Sequence, residues 1–194
     1  MNFKDRNCVV LAIPRGGLPL GAIVAEALNA PLDVVLTKKI GHPFNKEYAI
    51  GAVSMDSRIL SNAMEVSDAY IEEETIRIRN VLAKRSEQYY ENSRPQDLKG
   101  KTVIIVDDGI ATGNTILATI ELVYSKEPSG IIVAIPVAPP TAIENLNNSP
   151  YLDEVICLET PLNFRAVGQF YEEFYPVTDE NAIRILEECN QAIL

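Results

Sequence analysis

The chain has 194 residues, 47% of them hydrophobic and 23% charged, with a formal net charge of −10 and a pI near 4.6. That length predicts one domain over residues 1–194 with a substantial core, and the acidity argues against a nucleic-acid-binding protein. The charge is uneven: residues 1–58 carry a net +2, residues 59–100 a net −2 and residues 101–194 a net −10, so cationic help for an anionic ligand has to come from the first third.

Residues 1–6 hold no apolar run of the kind that opens a secretory leader, and no segment reaches the ~20 apolar residues that span a membrane. A cytoplasmic protein is expected. Cys8, Cys157 and Cys189 are isolated and lack metal-ligand spacing, which fits free thiols in a reducing compartment. Residues 8–13 predict a short apolar strand ending at Pro14-Arg15-Gly16-Gly17. Two glycines let the backbone approach a ligand, and Arg15 adds a forked, permanently charged donor. Residues 21–28 predict a helix stopped by Asn29-Ala30-Pro31, and residues 33–37 a second strand leading to Lys38-Lys39. The basic, Gly- and Pro-punctuated stretch 38–47 reads as a mobile loop. It holds the only histidine, His42, so no histidine-based metal site or relay is available. Alternation turns one of the two lysines toward the strand end, and Lys39 is favoured.

Residues 49–55 and 58–60 read as a hairpin or edge strands around Asp56-Ser57. Residues 66–90 predict a long charged helix capped by Ser67 or Asp68. Its acids, Glu72 to Glu74, precede Arg77, Arg79, Lys84 and Arg85, the pattern of a solvated helix with i,i+4 pairs.

The most informative segment follows. Residues 103–106 are four apolar, mostly β-branched residues, a buried strand. Asp107 and Asp108 stand at its carboxyl end, where ligands bind in open α/β sheets. Gly109-Ile110-Ala111-Thr112-Gly113-Asn114-Thr115 then opens an apolar-periodic helix over residues 114–125. Backbone amides at such a helix start suit a phosphate. The spacing is not a Walker loop: only three residues separate Gly109 from Gly113, and no lysine is present, so amides and the Thr112 and Thr115 hydroxyls must carry the phosphate. A G-x-G-x-x-G dinucleotide fingerprint is absent. Two carboxylates beside one phosphate cradle suggest a sugar phosphate. Beyond this, residues 131–136 predict a strand, Pro139-Pro140-Thr141 a helix start, residues 155–158 a last core strand, and residues 179–193 an amphipathic helix. The alternation gives an α/β fold, a mostly parallel sheet with helices on both faces.

The segment 103–115 resembles the 5-phosphoribosyl 1-pyrophosphate (PRPP) binding motif of type I phosphoribosyltransferases: a hydrophobic strand, two acids, two variable residues and a Thr-Gly-x-Thr loop. It departs from the family at Gly109, where a small aliphatic residue is usual; a glycine is expected to loosen the turn while keeping its amides. The resemblance implies a three-layer α/β/α phosphoribosyltransferase-like fold with a small C-terminal hood, mainly residues 159–178. It implies that Asp107 and Asp108 hold the ribose hydroxyls and favour a cationic ring, and that Gly109, Ala111, Thr112, Gly113, Asn114 and Thr115 bind PRPP, with residues 112–115 anchoring the 5′-phosphate. Arg15, Gly16 and Gly17 fall at the family's pyrophosphate loop, which carries a cis peptide in many members, and Lys39 is expected at the same pyrophosphate. The expected catalytic set is Asp107, Asp108, Arg15 and Lys39.

The hood is expected to enclose a planar acceptor through Phe164 or Tyr171, with Phe170 and Phe174 packed on the core. Mg²⁺ is the implied cofactor, held by pyrophosphate and ribose oxygens and water rather than by a protein metal site. A homodimer is also implied. Lys39-Ile40-Gly41, residues 47–53 and Phe164-Arg165-Ala166-Val167-Gly168 further resemble a subgroup of bacterial phosphoribosyltransferases without an established acceptor. The expected activity is transfer of the phosphoribosyl group from PRPP to a small nitrogenous, nucleobase-like acceptor with release of pyrophosphate. The alternative is a non-catalytic PRPP- or nucleotide-sensing regulator that keeps the pocket and acts through a protein partner.

Overall fold

The structure, a computed structural model, describes residues 7–61, 63, 65–91 and 93–191, leaving aside the side chain of Glu47. The N-terminal stretch 1–6 and Ile193, the expected end of the last helix, lie outside the described residues. Five strands, β1 (Cys8–Ala12), β2 (Leu32–Val34), β6 (Thr102–Val106), β7 (Gly130–Val137) and β8 (Glu154–Glu159), form a parallel sheet in the order β2-β1-β6-β7-β8. Three more, β3 (Lys38–His42), β4 (Asn45–Val53) and β5 (Arg58–Leu60), form a separate antiparallel sheet.

The main sheet is apolar on both faces because helices cover both, as parallel sheets require. Side-chain alternation sends Val9, Leu11, Val103, Ile105, Ile131 and Val133 to one face, against Ile116 and Ile120 of α3 (Asn114–Tyr124) and Ala142 and Leu146 of α4 (Pro140–Asn147). Cys8, Val10, Ala12, Ile104 and Val106 go to the other face, against Leu18 and Ala25 of α1 (Gly17–Leu28) and Ala182 and Leu186 of α5 (Asp179–Gln191). From β1 the chain steps out to β2, and from the adjacent β6 it steps the other way to β7. The carboxyl ends of β1 and β6 therefore flank the point where the winding reverses, the crevice in which open α/β sheets bind ligands.

Several sequence expectations change. The first helix begins at Gly17 rather than at residue 21, because Pro19 sits in the first turn, where no intrahelical N–H partner is lost. Asn29 closes that helix in the left-handed region, its N–H bonding Ala25 and Glu26 carbonyls. The second strand is short and ends at Val34. The stretch 38–47 is not a mobile loop but the hairpin of β3 and β4. Its glycine and proline mark a bulge at Gly41, where a Cβ would come 2.5 Å from the Lys46 carbonyl oxygen, and the turn beyond it.

The long helix α2 (Asp68–Tyr89), capped by the Ser67 hydroxyl accepting from Tyr70 N, is solvated on one side only. Ile71, Ile78 and Leu82 pack on Ile40, Ile50 and Val53 of the small sheet. The charged pair found on this helix, Glu74–Arg77, has i,i+3 spacing. Finally, β8 is an edge strand rather than a core strand: Val155 and Cys157 lean on the core, but Leu158 is 77% exposed.

Candidate active site

The two turns singled out in the sequence meet because β1 and β6 are neighbours in register, Ala12 opposite Val106. Ile13 N donates to Val106 O at 2.9 Å, and Gly17 N turns back to Ile13 O at 3.0 Å. The peptide between Pro14 and Arg15 is cis. A Cβ at Gly16 would overlap the Asp108 carboxylate, and one at Gly17 would lie 2.5 Å from Val106 O. Both glycines are thus required by the close passage of one turn over the other.

Asp107 Oδ1 accepts from Asp108 N at 2.9 Å. Among the described residues neither acid has a cationic partner; the ion pairs lie elsewhere. Burial first, and the adjacent Asp108 charge second, hold the Asp107 carboxyl well above the usual carboxylate range, and burial raises Asp108 as well. Two poorly solvated carboxylates side by side favour a ligand that brings hydroxyl donors or positive charge. Among the described residues no group of three or more His, Cys, Asp or Glu could hold a metal ion. The donors present are these two carboxylates, which fits Mg²⁺ arriving on a polyphosphate, since that ion takes one or two protein carboxylates and keeps waters.

Beyond the acids the loop is held at its base and open at its tip. Ile110 N donates to Val137 O at 3.0 Å. Gly109, with φ 156°, is buried, and a Cβ there would come within 2.8 Å of Val167 Cγ1 and 3.0 Å of Val137 Cγ1. The expectation that this glycine loosens the turn is therefore corrected: it lets the hood pack directly on the acid turn. Ala111, Thr112, Asn114 and Thr115 are exposed. Gly113, at φ 81°, precedes α3, whose start has no side-chain cap. The start of α1 at Gly16 is uncapped too. The first-turn amides of α3 are thus left for an external acceptor beside Asp107-Asp108, whereas in α1 Gly17 N and Leu18 N are already bonded to the Ile13 and Arg15 carbonyls and Pro19 has no N–H.

The hood closes over this turn through Tyr171, whose hydroxyl donates to Asp108 O at 2.6 Å. Tyr171 packs on Phe174 at 5.1 Å between ring centroids, and Phe174 covers Gly168 in the single 3-10 turn Val167–Phe170. A cleft of about 430 Å³ runs between Arg15, Gly16, Pro19, Leu20 and Asp108 on one wall and Tyr171, Glu173, Phe174, Tyr175, Pro176 and Val177 on the other. Arg15 Nη1 lies 3.4 Å from Asp179 Oδ2. A larger cavity, about 520 Å³ among Leu11, Val35, Met55, Leu98 and Leu122, shares no residue with this cleft.

The structure thus gathers Arg15, Gly16, Asp108 and Tyr171, with Asp107 and the Gly109–Thr115 loop continuing from the same turn. It does not gather Lys39 or Phe164 into the cleft. Lys38 and Lys39 open a strand instead of following one: Lys39 is half-buried in β3 opposite Ala52, and Ala52 shares a hollow with Asn114 and Leu117 at the start of α3. Lys38 is exposed. His42 accepts from Phe44 N at 3.3 Å and shapes the hairpin end. Phe164 stacks on Phe170 at 5.5 Å and lines a separate hollow with Arg165 and Gln169. The expected core packing of Phe170 and Phe174 is also corrected, because Phe170 stays within the hood and Phe174 is 47% exposed on the cleft. Sequence reasoning misses Glu173, Phe174 and Tyr175 as site residues, whose signal is the run of acids and aromatics over residues 172–175, and Asp179, which carries no such signal.

A family model of the phosphoribosyl transferase domain matches residues 1–171. A protein of Mycobacterium tuberculosis, provisionally named a phosphoribosyl transferase, is 34% identical over 198 residues in each of two strains. The match takes in 97% of this chain and 43% of the relative, so the chain spans less than half the length of these curated relatives. The crystal structure of TT1426 from Thermus thermophilus is 41% identical, covers 94% of this chain and 88% of its own, and superposes with a TM-score of 0.87.

Proposed function

The chain belongs to the phosphoribosyl transferase family, and from that premise we propose that it moves the 5-phosphoribosyl group of PRPP onto a nitrogen of a small planar acceptor. One observation carries this reading: the uncapped start of α3 and the Arg15 turn meet at the poorly solvated Asp107-Asp108 pair, at the winding reversal of the sheet.

In this reading the amides of residues 111–115 and the Thr112 and Thr115 hydroxyls hold the 5′-phosphate, and that remote binding energy orients the reacting carbon. Asp107 and Asp108 accept from the ribose hydroxyls. The bond from C1 to the pyrophosphate oxygen breaks, positive charge spreads over the ring, and the carboxylates stabilise it. The acceptor nitrogen forms the new bond to C1 from the opposite face and gives up its proton to solvent water. Arg15 and the amide of Gly16 take up the charge growing on the leaving pyrophosphate. Mg²⁺, when bound with PRPP, neutralises the same leaving group. The acceptor lies against Tyr171 and Phe174, which face the cleft, in preference to Phe164, which does not.

We also propose a homodimer. The α1-side face of β7 and β8 supports it, for α1 and α5 pack chiefly over β1, β2 and β6, leaving Ile156 and Leu158 exposed. The test of transfer is pyrophosphate release from PRPP and Mg²⁺ with a pool of nucleobases and related amines, followed by identification of the product. Release with a phosphoribosylated product is expected; PRPP binding without release from any acceptor would mark a ligand sensor instead. Light scattering on the same protein should give the mass of two chains, and a mass of 21.4 kDa overturns the dimer.

A further inference from the structure

Among the described residues Arg15 is the one cation of the cleft, and it is already engaged by Asp179, the first residue of α5. The contact is single, 3.4 Å long, and both side chains are about half exposed, so it is weak and readily broken. Tyr89, the last residue of α2, which packs against α5, is only 2% exposed. It belongs to the same apolar cluster as Leu18, three residues beyond Arg15, and Ala182, three residues beyond Asp179. The Tyr89 hydroxyl is buried and has no hydrogen-bond partner among the described residues. An unpaired buried hydroxyl costs stability, and phenylalanine would fill the same space without that cost. The charge of Asp179 bears on this phenol after burial, followed by those of Arg85 and Arg15.

We propose that Asp179 and Tyr89 are positioning residues for Arg15: when the guanidinium turns from Asp179 to a polyphosphate, the Tyr89 hydroxyl donates to the carboxylate left behind. The inference rests on Arg15 binding the pyrophosphate of PRPP. Without such a donor, the released carboxylate would stand unpaired near a polyanion and oppose its binding. With it, the carboxylate gains a charge-assisted bond and the hydroxyl gains its missing partner. The unpaired hydroxyl of the free protein is then a cost recovered only in the bound state, and such a difference between states is what shifts an equilibrium.

The test compares wild type, Tyr89→Phe, Asp179→Asn and the double variant by calorimetric titration with PRPP or with ribose 5-phosphate, both with Mg²⁺, alongside thermal melting. Tyr89→Phe should melt no lower than wild type yet bind PRPP about fivefold more weakly, with ribose 5-phosphate affinity unchanged because it lacks the pyrophosphate. On the Asp179→Asn background the same substitution should have no effect on PRPP affinity. Wild-type PRPP affinity in Tyr89→Phe overturns the inference, and so does an equal loss on both backgrounds or an equal loss for both ligands. Wild-type protein that binds neither ligand overturns the reading of the site and this inference with it.

Discussion

In the proposed function Asp107 and Asp108 carry the chemistry, and they work against the stability of the free protein. Burial and mutual repulsion hold the Asp107 carboxyl above its unfolded value of ~3.9. Below that pH both states are protonated and the group contributes nothing. As pH rises through it, the unfolded chain releases the proton while the folded carboxyl keeps it, so stability falls with pH until the folded group ionises too. Asp107→Asn has no proton to lose and retains an oxygen for Asp108 N. It should melt above wild type by about 2–4 °C at pH 7, corresponding to ~1 kcal/mol in a chain of this length, with the gap closing toward pH 4. Melting scans at the two pH values check this; a variant that melts below wild type at pH 7 contradicts it. The acids were legible because their identity and their place after an apolar strand are both local facts. Gly109 was misread because the space around it is set by Val137 and Val167, which no local pattern reveals. The partner of Arg15 was invisible for the same reason, since Asp179 lies on the last helix.

Among the elements, α3 matters most, since its uncapped start presents the exposed Thr112 and Thr115. Thr112→Val and Thr115→Val keep shape and remove a donor to a charged phosphate. Each should cost ~1.5–3 kcal/mol of affinity for ribose 5-phosphate, on the order of ten- to hundredfold, without lowering the melting temperature. Calorimetric titration reads the first and a thermal scan the second; unchanged affinity in both variants would place the phosphate elsewhere. The buried strands β1, β6 and β7 and the α3 start are legible within a residue or two because hydrophobic runs and the Thr-Gly-x-Thr turn mark their own limits. The β3–β4 hairpin was not. Gly41 and Pro43 look like loop punctuation, and only pairing with β4 turns them into a bulge and a turn. The apolar stripe of α2 was likewise hidden under its charges, because Ile71, Ile78 and Leu82 acquire meaning only against the small sheet.

At the scale of the whole molecule, the strand order places the site. β1 and β6 lie far apart in sequence and side by side in the sheet, so the Arg15 turn and the Asp107-Asp108 turn form one crevice. The sequence showed alternation of strands and helices, hence the fold class. Which strands are neighbours depends on crossovers that no local pattern encodes. The charge distribution fits the same arrangement: the chain is net −10, yet Arg15, the cation of the cleft among the described residues, comes from its mildly basic first third. No helix among the described residues is long and apolar enough to cross a membrane. The central claim is that this crevice binds PRPP, and calorimetric titration of the folded protein with PRPP and Mg²⁺ tests it most directly. Saturable heat with one site per chain is expected, abolished when Asp107 and Asp108 are both replaced by Asn in a protein that still melts cooperatively. Folded wild-type protein giving no heat with PRPP, or a double variant binding it as tightly as wild type, would contradict it.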